Sequence, residues 1–282
     1  MILARTREEL ADALSAARGA GTRIGLVPTM GYLHEGHLSL VDLAGEHAEL
    51  VAVSVFVNPL QFGVGEDLDR YPRDLERDLT LLEQRGVKVV FHPKVTEMYP
   101  GGDSWVTVDP GPLGDVLCGA FRPGHFRGVL TVVAKLLGLF RPDIAVFGQK
   151  DFQQAVLNKR MVRDLALGAD VVVGPIVREA DGLAMSSRNV FLEGPERQSA
   201  LGLHRGLMAA QEAFAAGKRS RASLQAKLLE TISRYGGLHL QYGEIVGPDT
   251  LRPVDPVPPG AVAVVAARCG STRLIDNHIL VA

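Results

Sequence analysis

The sequence predicts an α/β protein: a doubly wound parallel sheet followed by a smaller α+β C-terminal unit. Three observations predict it. Up to about residue 178, short apolar runs alternate with longer stretches of helical periodicity. Parallel strands joined by crossover helices give that pattern. The runs "RIGLVPT" and "ELVAVSVFV" are continuously apolar, as strands covered on both faces are. Beyond that point two long helical segments precede three strand-like ones. The predicted division is residues 1–177 and 178–282.

Each element has its own signal. Thr6 with Glu9 makes a capping box, and Leu10 and Leu14 follow at helical spacing, so a helix covers about 6–18 and ends near Gly19. "RIGLVPT" is a strand, and a helix starts at about Glu35. "ELVAVSVFV" is the next strand. Leu75, Leu79 and Leu82 mark a helix that stops at Gly86, ahead of the strand "VKVVF". "GVLTVVAKLLGLF" is helical, "DIAVFG" a strand, "KDFQQAVLNKRMVRDL" a helix and "DVVVGP" a strand. Helices over about 194–216 and 220–235 follow. "LHLQYGEIV", "GAVAVVAAR" and "TRLIDNHILV" then form a small antiparallel sheet, with "RPVDPVPPG" as a surface connection.

Composition narrows the function classes. The chain has 282 residues, 46% of them hydrophobic and 22% charged, which suits a compact soluble protein. Thirty basic residues face 32 acidic ones, for a net charge of −2. That balance argues against nucleic acid or an anionic membrane as partner, so any anion site is local. No run of 18 uncharged apolar residues occurs, and "MILARTREELADAL" has no leader pattern. Cys118 and Cys269 are far apart and expected to stay reduced, in keeping with a cytoplasmic protein.

The chemistry centres on "VPTMGYLHEGHLSLV". Ligands of open parallel sheets sit outside the carboxyl ends of the strands. Here a strand ends and a helix begins, offering free N–H groups and a positive dipole end. His34 and His37, three apart, can face one way on a first helical turn. Alone, the pair fits an anion contact, helix capping or a shared metal ion. Its H-E-G-H spacing, with a helix-breaking glycine between, is not the H-E-x-x-H of zinc proteases. "GVGED" at 63–67 lacks the third glycine of a dinucleotide motif, and no P-loop occurs.

Other segments follow strands as well. "FVNPLQF" supplies Asn58 and Gln61, and "FGQKDFQQ" supplies Lys150, Asp151 and Gln154. "VREADGLAMSSRNVFL" places Ser186, Ser187 and Arg188 on one loop, suited to a polyphosphate. Its Asp181–Gly182 pair marks a turn, and with it a movable loop. "LCGAFRPGHFRGV" holds Arg122, His125 and Arg127; no part in the chemistry is assigned to them.

Together "PTMGYLHEGHLSLV", "FVNPLQF", "RPGHFRGVLTVVAKL", "FGQKDFQQ" and "MSSRN" resemble the pantothenate synthetases (pantoate–β-alanine ligases), over nearly the whole chain and in family order. The H-x-G-H signature is shared by a wider superfamily of nucleotidylyl transferases and class I aminoacyl-tRNA synthetases. The resemblance implies a Rossmann-like N-terminal domain, a homodimer, ATP as substrate and Mg²⁺. It implies that ATP and (R)-pantoate give pantoyl adenylate and pyrophosphate, and that β-alanine then gives pantothenate and AMP. Rival readings are transfer of AMP to a phosphate-bearing acceptor, and a nucleotide-binding regulator without turnover.

By resemblance, ATP contacts fall on Met30, Gly31, Tyr32, Leu33, His34, Glu35, Gly36 and His37, on Gly148, Gln149, Lys150 and Asp151, on Val177, and on Met185, Ser186, Ser187 and Arg188. His37 would act as an acid toward the leaving pyrophosphate and His34 as a phosphate contact. Lys150 would lie on phosphate and Asp151 on the ribose, with Arg188 closing over the triphosphate. Gln61 and Gln154 would hold pantoate, and Gln61 would also meet β-alanine. No metal ligand is assigned. The 178–282 unit and its serine–arginine loop would serve as a lid.

Overall fold

The computed structural model describes residues 1–102 and 104–282. Six parallel strands make the main sheet: β1 (Ile2–Ala4), β2 (Ile24–Thr29), β3 (Leu50–Val55), β4 (Val89–Phe91), β5 (Ile144–Gly148) and β6 (Asp170–Gly174), in the order β1-β4-β3-β2-β5-β6. The chain winds outward from β2 in one direction, then crosses back to β5 on its other side. The topological switch point therefore lies between β2 and β5, where ligands of such sheets sit. The two strand ends that meet there carry Thr29 and Gly148, each leading into a segment singled out by its sequence.

Helices cover both faces. α1 (Arg7–Gly19), α6 (His125–Phe140) and α7 (Phe152–Asp164) bury Leu10, Leu14, Val129, Leu136 and Leu157 with Leu26 of β2. On the other face, α2 (Glu35–His47) and α3 (Leu75–Gln84) bury Leu38, Val41, Ala44 and Leu82 with Val27. Alternate β2 side chains thus enter opposite cores, which is why the strand reads as an unbroken apolar run. α4 (Val95–Met98) and α5 (Cys118–Phe121) are single turns between β4 and α6.

The C-terminal part consists of α8 (Gly194–Ala215) and α9 (Arg221–Ser233) against an antiparallel sheet of β7 (Leu238–Val246), β8 (Val262–Cys269) and β9 (Thr272–Ile279). Its core joins Leu203, Leu207, Phe214 and Leu228 to Ile245, Val265 and Leu274. Polar contacts tie it to the rest of the chain. The Asn277 amide donates to the carbonyls of Gln149 (2.9 Å) and Lys150 (3.1 Å). Arg178 grips Asp276 with two hydrogen bonds of 2.6 and 2.9 Å. The Cys118 Sγ lies 3.0 Å from the Tyr242 hydroxyl. Both cysteines are free and buried.

The elements fall where periodicity predicts, including the Thr6–Glu9 capping box. The single turns α4 and α5 lie outside that prediction, and so do β1 and the turn that carries Lys150. β1 is a three-residue edge strand paired with β4, too short for any periodicity to register. Lys150 sits in a 3₁₀ turn, Gln149–Asp151, that precedes α7 rather than inside the helix.

The β2–α2 turn is held from outside. Asp78 of α3 is 1% exposed, and its carboxylate accepts from the N–H groups of Tyr32 and Leu33, both at 2.7 Å. Burial raises its pKa, against the pull of those two hydrogen bonds. Gly31 has φ of +84°, and a Cβ there would lie 2.9 Å from Val55 and 3.0 Å from Asp78. Asp78→Ala leaves the buried Leu33 N–H and the half-buried Tyr32 N–H unpaired, so it is expected to cost roughly 1–3 kcal/mol of stability. Urea unfolding checks this against Glu83→Ala on the exposed side of α3, expected within about 0.5 kcal/mol of the parent.

Candidate active site

At the switch point a cleft is lined by Met30, His34, Gly36 and His37 from the β2–α2 turn and by Gln61 after β3. Gly148, Lys150, Asp151 and Gln154 line it after β5, Val177 after β6, and Met185, Ser186, Ser187 and Arg188 from the loop beyond. Residues as far apart in sequence as Met30 and Arg188 thus converge. Lys150 and Arg188 share this cleft with both imidazoles.

The histidines have defined hydrogen-bonding edges. His34 is the N-cap of α2, and its Nδ1 accepts from the Gly36 N–H at 3.1 Å. The His37 Nδ1 accepts from the His34 N–H at 3.3 Å. An Nδ1 that accepts carries no proton, so each neutral ring is the Nε2–H tautomer. The ring centroids are 4.0 Å apart. Burial first, then the neighbouring charge of Lys150, lowers His37 to about 4. Burial, then the His37 and Lys150 charges, lowers His34 to about 2. Near neutral pH the pair is two uncharged N–H donors beside a lysine.

Gly36 explains the spacing. A Cβ there would meet the His34 ring at 2.9 Å, so the imidazole rests where any larger residue would project. The glycine between the histidines makes room for a ring rather than breaking a helix, since α2 runs through it from Glu35.

Gln61 is positioned by a network. Asn58, 1% exposed, donates to Gln61 Oε1 (3.2 Å) and to the Gly128 carbonyl (3.1 Å), and accepts from the Tyr99 hydroxyl (2.9 Å). Gly128 of α6 packs so close that a Cβ would fall 2.1 Å from the Leu60 carbonyl oxygen. The Gln61 carboxamide also donates toward the Met30 thioether at 3.1 Å.

Some expected contacts lie off the cleft. Gly31, Tyr32 and Leu33 are turned toward Asp78 and the core. Glu35 is exposed and pairs with Arg85 at 2.9 Å. The Gln149 side chain donates to Asn277 at 3.1 Å. Of the run from Met30 to His37, the lining residues are Met30, His34, Gly36 and His37. The Asp181–Gly182 turn is present but tethered: Arg178 donates to the Gly182 carbonyl (3.0 Å), and Arg197 pairs with Asp181 (2.6 Å).

Conversely, Arg122 and His125, left without a role by the sequence, line the cleft. Arg122 Nη1 donates to His125 Nε2 (2.8 Å), and His125 Nδ1 donates to the Gln61 carbonyl (2.8 Å). Burial, then the adjacent guanidinium, lowers His125 to about 3. Their signal was "RPGH" ahead of a helix, a further histidine beside a turn glycine. Arg127 points elsewhere and pairs with Asp109. Asn277, whose amide holds the Lys150 turn, had no local signal.

Residues 2–279 match the family described as pantoate-beta-alanine ligase. A pantothenate synthetase of Nocardioides sp. is 56% identical, over 98% of this chain and 84% of that protein. One of Thermoanaerobacter sp. is 50% identical, over 98% of each. The crystal structure of pantothenate synthetase from Thermus thermophilus superimposes with a TM-score of 0.95 at 47% identity, covering all of both chains. The pantoate-beta-alanine ligase of Francisella tularensis, complexed with beta-gamma ATP and beta-alanine, gives 0.79 at 33% identity, over 99% and 97% of the two chains. On these likenesses and on the cleft that its own residues build, the chain belongs to the pantoate–β-alanine ligase family.

Proposed function

We propose that this ligase activates pantoate as an acyl adenylate in the cleft between β2 and β5. The observation that carries the reading is the pair of neutral Nε2–H imidazoles beside Lys150 at the switch point. ATP and pantoate give pantoyl adenylate and pyrophosphate; the β-alanine amine then displaces AMP.

Pantoate is already a carboxylate at neutral pH, so no base is needed to make it a nucleophile. The difficulty is to bring two anions together and to stabilise charge on the transferring phosphoryl group. Fixed donors and cations meet both demands. In our reading His34 and His37 donate to phosphate oxygens, Lys150 and Arg188 supply charge, and Ser186 and Ser187 supply hydroxyls. In our reading His37 is the acid toward the leaving pyrophosphate; in the ligand-free cleft, burial and the Lys150 charge hold its ring uncharged, with the proton on Nε2. Asp151 takes the ribose, and Val177 lies beside the base. Gln61 and Gln154 hold pantoate, Gln61 also facing β-alanine.

Mg²⁺ would be carried mainly by the triphosphate, whose oxygens suit a hard cation. Among the described residues, no group of three His, Cys, Asp or Glu is placed to hold a metal alone. We also read residues 178–282 as a lid, because its Met185–Arg188 loop lines the cleft, and the assembly as a homodimer. Trp105 and Val106, 94% and 85% exposed, give an apolar surface that a second copy could cover. Among the described residues no helix is long and apolar enough to cross a membrane, and we place the enzyme in the cytoplasm.

With ATP, Mg²⁺ and pantoate but no β-alanine, pyrophosphate and an enzyme-bound pantoyl adenylate are expected; ADP and phosphate would refute the mechanism. His37→Ala is expected to lower turnover at least about 10²-fold without loss of the fold. Steady-state kinetics with circular dichroism checks both halves. The histidines also set a pH dependence of stability. His37 at about 4 lies below its unfolded value near 6.5, so the unfolded chain takes up the proton first. This stability is complete above about pH 6.5 and is lost as pH falls toward 4. Urea midpoints across that window should fall less steeply for His37→Gln than for the parent; parallel curves would show that His37 carries no such linkage.

A further inference from the structure

The segment after Gln61, "GVGED", carries two acids that the reaction has not used. Glu66 accepts two hydrogen bonds from Arg122, at 2.6 and 2.7 Å. Asp67 accepts two from Arg188, at 2.6 and 3.0 Å. The four side chains are between 13% and 25% exposed. The Tyr71 ring lies under Arg188, 5.4 Å from its guanidinium carbon. Each carboxylate is held below its ordinary range by the facing guanidinium, despite burial.

Position gives these pairs meaning. Glu66 and Asp67 line a second hollow that adjoins the cleft, and neither lines the cleft itself. Arg122 and Arg188 line both. The guanidinium planes are thus bound, two hydrogen bonds each, in the way a phosphate would bind them. A carboxylate and a phosphate cannot both take the same edge of one guanidinium.

We propose that Asp67 is a positioning residue that stands in for phosphate on Arg188, released when the triphosphate enters and rebinding as pyrophosphate leaves. Glu66, paired in the same two-bond way with Arg122, which also lines the cleft, is read as doing the same there. The exchange keeps the empty cleft from holding unpaired guanidinium groups. It also lowers the affinity for ATP and pyrophosphate below what the arginines alone would give, which favours product release. The proposal rests on Arg188 meeting phosphate, as read above.

Titration with inorganic pyrophosphate and steady-state kinetics on ATP test it. Asp67→Asn removes a charge and weakens the competing pair, so pyrophosphate should bind about threefold to tenfold tighter. KM for ATP should fall in the same proportion while kcat does not rise. Asp67→Glu, which can keep the pair, should behave as the parent. Glu66→Gln should move the same way as Asp67→Asn and serves as the test if the Asn variant does not fold. Unchanged or weaker pyrophosphate binding in both neutral variants overturns the proposal. Arg188→Gln separates the two readings. If it weakens pyrophosphate binding while Asp67→Asn leaves it unchanged, only the stand-in role fails. If Arg188→Gln binds pyrophosphate as the parent does, the phosphate contact itself fails.

Discussion

Two adjacent backbone N–H groups, of Tyr32 and Leu33, donate to one buried carboxylate, that of Asp78, at the far side of the sheet edge. The turn they belong to has left-handed backbone at both Gly31 and Tyr32, φ of +84° and +52°. An extended peptide would not hold that shape unaided. The carboxylate fixes it, and so fixes where α2 starts. The start of α2 places His34 as its cap and His37 one turn on, with each ring's Nδ1 used up by a main-chain donor. Ring orientation and tautomer therefore follow from backbone geometry, before any ligand arrives. Electrostatic groups fixed in advance do not have to reorganise when charge develops, and this is where their catalytic value lies.

Burial is the second shaping term. The imidazoles stay uncharged because a charged ring would be poorly solvated and would face Lys150. The net positive charge of the cleft is thereby concentrated on lysine and arginine. Such a division keeps the fixed cations of the cleft few. Two of them, Arg122 and Arg188, are neutralised by the chain's own acids in the ligand-free state.

The fold was legible wherever a local period or cap existed. The apolar runs of β2 and β3, the Thr6–Glu9 box and the Gly86 stop each announce themselves within a few residues. β1 was not legible, because three residues have no period and its stability comes from Val89 to Phe91 across the sheet. At the site, His34, His37, Lys150 and the serine–arginine loop could be read because they sit next to strand ends. Arg122 and His125 could not be ranked, since their neighbours Gln61 and Glu66 lie roughly sixty residues earlier. The Arg188–Asp67 pair spans 121 residues, and Asn277 reaches the Lys150 turn across 127. Such contacts are set by topology, and topology is what single-chain periodicity leaves open. The same limit explains Gly36: the sequence suggests a broken helix, whereas the structure shows a space occupied by an imidazole.

Asn277 belongs to the last strand, yet its amide holds the main-chain carbonyls of Gln149 and Lys150. During synthesis the six-stranded sheet can close once residue 174 has emerged. The lysine turn has no such brace until β9 has been made and paired with β8. A ribosome-tethered chain can thus own a finished sheet while the turn that carries Lys150 still waits for its brace.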